Sequence, residues 1–210
     1  MLVIGNLTLY CQEVTIGTQI WSKNNLDVTT YSDGTLIPQV SDPDAWWELE
    51  TGAWCYYDND PANGNTYGKL YNWYAIAGIY NAASAKNPAL RKKLAPIGWH
   101  VPSEKEWTDL FNFLGGKSEA GGKMKSTDLS LWKKPNTAAT NSSGFTGLPG
   151  GSRTGGYGFF FNIGMEGGWW CSSKLNAMEA LIRSLNFDNG EASNNSDNKK
   201  NGYSVRCIRD

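Results

Sequence analysis

The sequence predicts a loop-rich α+β domain with two helices, and three observations carry that reading. Residues 70–81 and 103–114 each repeat apolar side chains at helical spacing. Short apolar runs bounded by glycine or turn residues, at 14–21, 97–101 and several places after 144, read as strands. Twenty-four glycines in 210 residues imply many turns. The C-terminal third, 144–210, mixes strand-like runs with polar and aromatic residues in a way suited to display, and the rest of the chain reads as its scaffold.

Composition narrows the function classes. The formal charge of −1 gives no global pull toward nucleic acid. Ten Trp and ten Tyr supply core volume, and also rigid contact surface at low entropic cost. No stretch reaches the length of a membrane span. The opening MLVIGNLTLYCQEV has no basic start and is broken by Gly5 and Asn6, so no signal peptide is expected there. Four cysteines, at 11, 55, 171 and 207, form no CxxC pair and accompany a single histidine, which argues against zinc. No metal and no cofactor are expected. Cys171 and Cys207 are open between buried thiols and a disulfide that would need an oxidising compartment.

In chain order, Leu2, Ile4, Leu7 and Leu9 make residues 1–12 an N-terminal strand or assembly segment, ahead of a domain at 13–210. Val14, Ile16, Ile20 and Trp21 flank a hairpin turn at Gly17-Thr18, and Leu26 and Val28 suggest another short strand. Asp33-Gly34 signals a tight turn. Ser41 or Asp42 caps a short helix with Pro43 in its first turn. Asp58, Asp60, Asn63 and Asn65 raise calcium, but their spacing misses the EF-hand pattern and Asx and Gly are the usual turn formers. In 70–81, Leu70, Trp73, Tyr74 and Ala77 follow the helical period. The basic run at 91–94 reads as a solvated face. Residues 97–101 form a short buried strand ended by Pro102. Ser103 and Glu106 then make a capping box, ahead of Trp107, Leu110, Phe111 and Leu114 on one helix face, and Gly115-Gly116 ends that helix. His100 reads as a satisfied structural histidine, since no nucleophile is paired with it. Residues 117–143 read as a long polar loop anchored by Met124, Leu129, Leu131 and Trp132. Strands follow at 157–163, 168–172, 180–187 and 203–208. The last puts Tyr203, Val205 and Cys207 on one face and Ser204, Arg206 and Ile208 on the other.

Six ordered motifs, VTIGTQIWSKNNLDV, YYDNDPANGNTYGKLYNWYAI, PIGWHVPSEKEW, GFTGLPGGSR, WWCSS and GYSVRCIRD, resemble the Fibrobacter succinogenes major paralogous domain over residues 12–210. The resemblance implies the C-type-lectin-like fold of the formylglycine-generating-enzyme type, with a twisted antiparallel sheet whose loops form a ligand-binding face. The C-terminal part is also similar to variable proteins of diversity-generating retroelements. In these, adenines of a template RNA are randomised and AAC codons scatter into many residue types. Frame residues (GG, WW, SS, LN, NG, SVRC) alternate here with chemically arbitrary ones. Asn186, Asn189, Asn194, Asn195, Asn198 and Asn201 fit template-like codons. Lys174, Met178 and Glu191 cannot arise from AAC by adenine changes, so they need other template codons or are fixed.

The resemblance places ligand contacts at Arg153, Tyr157, Phe159, Phe161, Trp169, Lys174, Leu175, Met178, Leu181, Arg183, Ser184, Phe187, Asp188 and Glu191. Strand geometry makes one of Trp169 and Trp170 face inward and puts Phe159 and Phe161 on the same side, core or display. The Asn-rich run after 189 is open between a display strand and a solvated loop. The expected function is a non-enzymatic receptor-recognition protein of a phage or gut bacterium, at a virion or cell surface. Its partner would be a cell-surface protein or glycan, met by a homo-oligomer or larger assembly that gains avidity. A structural or decoration protein is the alternative. An oxidase of the formylglycine-generating type would need Cys171 and Cys207, and no base or metal constellation accompanies them. The Glu-Pro-Asn and Gln-Pro-Asp triplets of calcium-dependent sugar lectins are absent.

Overall fold

The computed structural model describes residues 12–210; the expected assembly segment, apart from its last residue, lies outside them. β1 (Glu13–Ile16) and β2 (Gln19–Ser22) form the expected hairpin, with Gly17 at φ 62° supplying the turn. Residues 26–28 are irregular instead of a strand. α1 (Pro43–Trp47) starts as read, with the Asp42 carboxylate accepting from the Ala45 amide. β3 (Trp54–Cys55) is followed by a 3-10 turn and α2 (Pro61–Tyr67). The Asp/Asn cluster serves these turns. Asp60 accepts from the Ala62 amide, and Asn63 donates to the Tyr57 carbonyl.

The helix expected over 70–81 is reduced to a single turn, with a strand before it and a separate helix after it. Leu70 and Tyr71 are β4 (Leu70–Tyr71), paired with β3; α3 (Trp73–Ile76) is a single turn, and α4 (Ala82–Lys86) follows. Asn72 causes the first break. Its backbone is extended, and its side chain caps α3 by accepting from the Ala75 amide. Gly78 causes the second, with φ 71° and a Cβ position only 2.0 Å from the Lys92 carbonyl. β5 (Trp99–His100) is shorter than expected, because Ile97 is 88% exposed. α5 (Glu104–Phe113) carries the full capping box, and its Trp107, Leu110 and Phe111 are buried. α6 (Lys117–Met124) corrects the loop expected there. Its glycines lower helix propensity, yet Gly121 is required, since a Cβ would sit 2.1 Å from the Glu191 carbonyl.

The remaining strands are β6 (Gly150–Arg153), β7 (Phe160–Ile163), β8 (Glu166–Lys174), β9 (Glu179–Asn186), β10 (Ala192–Asn198) and β11 (Ile208–Arg209). They complete three sheets: β1-β2-β11-β5, β10-β9-β8 and β6-β7. The Asn-rich run is therefore strand β10, antiparallel to β9. Asn195 donates to the Ser184 hydroxyl, and Asp197 accepts from the Tyr203 hydroxyl. The stretch expected as a strand at 203–208 keeps only its end, yet its alternation holds in packing. Tyr203, Val205 and Cys207 join one core cluster, and Ile208 joins another.

Two large clusters sit on either side of β8. Trp170 belongs to the one built on Trp54, Tyr71 and Trp73, and Trp169 to the one built on Trp21, Trp107 and Phe145. Both tryptophans are thus interior, where strand geometry alone asked for one. Buried indoles also brace the loops. Trp46 donates to the Lys200 carbonyl, Trp54 to Ile37, Trp73 to Cys171, Trp132 to Gly147 and Trp170 to Tyr71. Arg206, wholly buried, donates to the Ser22, Lys23, Phe145 and Thr146 carbonyls and to Asn25 Oδ1, with its guanidinium 4.5 Å from the Phe145 ring centre. Burial pushes its pKa down to about 9.

Replacing Arg206 by Met orphans these acceptors. Each buried unmet acceptor costs about 1–3 kcal/mol, so a loss of at least ~3 kcal/mol is expected in urea unfolding, while a surface change such as Lys105→Ala moves the midpoint little. His100 bonds Glu106 through Nε2 and Asp210 through Nδ1, both at 2.7 Å. Partial burial opposes its charge, but those two carboxylates outweigh it and raise the pKa above 6.5. A raised folded pKa gives stability that is full below about 6.5 and lost as pH rises through the folded value. His100→Gln is expected to flatten the stability–pH curve above pH 6.5; an unchanged slope would remove His100 as its source.

Candidate functional site

The β6-β7 hairpin builds a contiguous exposed aromatic feature. Ser152 pairs with Phe161 and Arg153 with Phe160. The connecting loop closes through the Thr154 amide donating to the Phe159 carbonyl at 2.8 Å. Tyr157 and Gly158 both have positive φ, and a Cβ on Gly158 would meet Pro43 at 2.7 Å. Strand alternation sends Phe160 inward against Tyr57 and leaves Phe159 and Phe161 outward. The result is a strip of three rings. Tyr157, Phe159 and Phe161 are 82%, 60% and 45% exposed, with successive ring centres 6.0 and 6.5 Å apart. Exposed Trp47 adjoins the loop at Gly156, and Lys200 lies 4.6 Å over its ring while donating to its carbonyl.

Arg153 is not on this surface. It is buried beneath the hairpin, donating to the Val40 and Ser41 carbonyls at 2.7 and 2.9 Å and stacking between Trp46 and Phe160. It fastens the strip to the start of α1.

A second exposed patch is the tip of the β8-β9 hairpin, where Lys174, Leu175 and Met178 point to solvent. Asn176 shapes this turn by accepting from the Met178 and Glu179 amides. Lys199 pins it by donating to the Asn176 and Ala177 carbonyls. Asn201, two residues later, accepts from the Gly155 amide in the aromatic loop. Both patches are therefore seated on the turn at 199–201. Beside the tip lies an open groove of ≈ 600 Å³ lined by Glu104, Leu175, Leu181, Arg183, Asn194, Asn195 and Ser196.

The other expected contacts do not join. Trp169 is buried, its indole N–H donating to Asn25 Oδ1 at 2.8 Å. Ser184 is buried under Asn195, and Arg183 is 1% exposed at the groove floor. Phe187, Asp188 and Glu191 sit at the opposite end of β9, an eight-residue strand and so roughly 25 Å long. Phe187 there packs partly on the core beneath Lys133. Trp47, Lys200 and Glu104 carry no site signal in the sequence. A five-residue helix is too short to reveal which of Trp46 and Trp47 faces out, and Glu104 reads simply as a first-turn acid.

Cys171 carries a buried free thiol and is not bonded to Cys207, and burial raises its pKa. The two residues belong to different core clusters. Among the described residues no three His, Cys, Asp or Glu side chains gather as a metal site, and no helix is long and apolar enough to cross a membrane. The Fibrobacter succinogenes major domain matches residues 14–209. Neither the curated proteins nor the solved structures contain a match to the chain.

Proposed function

The chain belongs to the Fibrobacter succinogenes major domain family, and on that premise we propose that it is a ligand-binding protein of C-type-lectin-like fold whose display surface is diversified. The carrying observation is the strip of Tyr157, Phe159 and Phe161, exposed on a hairpin fixed from below by Arg153. Three adjacent rings left in water forgo burial energy, and rigid aromatics are the side chains that dominate recognition surfaces. The division of labour along the chain supports the same reading. WW and SVRC make the buried contacts, while the side chains of Tyr157, Phe159, Phe161, Leu175 and Met178 are exposed. The partner is a cell-surface protein or glycan, and a virion or cell surface of a phage or gut bacterium is the setting. The reading is of a binding protein and not an enzyme: the thiol an oxidase would use at Cys171 is buried, and that burial raises its pKa. A decoration protein is the second reading, in which the same strip joins copies of the chain.

Binding to a panel of bacterial cells, read by flow cytometry, tests this with a Tyr157→Ser/Phe159→Ser variant. Loss of at least about tenfold in affinity, ~1.4 kcal/mol, with a nearly unchanged Tm is expected. Unchanged binding would sink the reading, and dissociation of an oligomer in light scattering without loss of binding would favour decoration. Population sequencing of the gene is expected to show substitutions at 157, 159, 161 and 175 and constancy at Arg153 and Trp169, since both of these are buried. Equal variation at buried and exposed positions would count against diversification.

A further inference from the structure

The groove beside the β8-β9 tip holds a feature that the aromatic strip does not explain. Arg183 is 1% exposed, yet its Nε and Nη2 have no hydrogen-bond partner; only Nη1 is used, donating to the Ile182 carbonyl at 2.9 Å. The nearest carboxylate, Glu104 Oε1, stands 3.8 Å from Nη2, too far for a hydrogen bond, on a side chain 57% exposed. A buried guanidinium with unmet donors is costly, and Nε with Nη2 is one of the forks that grips a carboxylate in bidentate fashion. Register brings neutral polar groups beside it. Asn194 is the direct partner of Arg183 across β9 and β10, and Ser196 is the partner of Leu181.

We propose that this groove is a binding subsite for an acidic sugar, with Arg183 taking the carboxylate in the place Glu104 now guards. Asn194 and Ser196 offer the mixed donors and acceptors that neighbouring hydroxyls require. Leu175 and Leu181 provide an apolar wall for the C–H face of a ring. The groove is open, and its ≈ 600 Å³ suits one or two sugar rings. A peptide carboxylate would satisfy Arg183 but leave those hydroxyl-type partners unused. Glu104, first residue of α5, acts as the groove's movable wall. Its charge competes with the incoming anion, and it swings toward solvent when the site fills. This subsite lies outside the aromatic strip and stands or falls separately from it.

The test is a titration of the intact ¹⁵N-labelled protein with sodium glucuronate, glucose and the capped dipeptide acetyl-Glu-Glu-amide, following the amide signals of Asn194, Asn195 and Ser196. Glucuronate is expected to give saturable shifts at these residues, with glucose and the dipeptide each at least about tenfold weaker. Arg183→Met is expected to abolish them. Because that change strikes a buried residue, Glu104→Gln serves as a second variant on an exposed one. Removing the competing charge should tighten glucuronate binding about threefold or more, an effect that a purely structural Glu104 would not produce. Glucose equal to glucuronate, a dipeptide as strong as glucuronate, no saturable shift, or unaltered binding in Glu104→Gln would each overturn the proposal. Tyr157→Ser/Phe159→Ser should leave these shifts in place, which separates this result from the fate of the aromatic strip.

Discussion

The buried guanidinium of Arg206 ties the start of the domain and the loop before β6 to the C-terminal segment. Arg206 donates only to neutral acceptors: backbone carbonyls of the 22–23 and 145–146 segments and the side-chain oxygen of Asn25. Taking a guanidinium out of water costs several kcal/mol, so the site persists only because its donors are met and an aromatic face covers it. Asn25 extends the network. Its Oδ1 also accepts from the Trp169 indole, and its Nδ2 donates to the Tyr67 carbonyl and the Ser204 hydroxyl. One arginine and one asparagine thereby tie the start of the domain, the loop before β6, strand β8 and the C-terminal segment into one frame.

That frame decides which side chains reach solvent. The middle of β8 lies between two aromatic clusters and is interior on both sides, whereas Leu181 and Arg183 of β9 face the open groove beside β10. The fold is rich in loops, and the indole N–H bonds to distant carbonyls replace the ladder bonds that longer strands would supply. High tryptophan content is therefore first a structural requirement. Only Trp47 among the described indoles is left substantially open.

Much of this was legible in the residues, and the failures have physical reasons. The 13–22 hairpin, the capped start at Asp42 and the Ser103–Glu106 box rest on local chemistry, which short windows contain. Residues 70–81 misled because Leu70, Trp73, Tyr74 and Ala77 keep a helical period while being packed from several directions. α6 hid behind Gly121 and Gly122, whose small size is demanded by the β9-β10 turn at Glu191 and by Ala138 respectively, contacts no local window shows. β10 has one apolar residue, Ala192, and its order comes from pairing with β9. The exposure of Phe159 and Phe161 followed from alternation once the side of Phe160 was known. The burial of Arg153, Arg183 and Ser184 did not, because it depends on elements far away in sequence.

Under the proposed binding role, the turn at 199–201 has a consequence for how tightly the protein would hold a partner. Lys199 fixes the β8-β9 tip and Asn201 fixes the aromatic loop, so the spacing between the two patches is set by three consecutive residues. A partner long enough to reach both finds its second foothold already in place after the first is occupied. The second contact then behaves as an intramolecular event at high effective concentration, with no flexible linker to order. Two individually weak contacts become one durable attachment, and the residues at either patch can change without altering the distance between them.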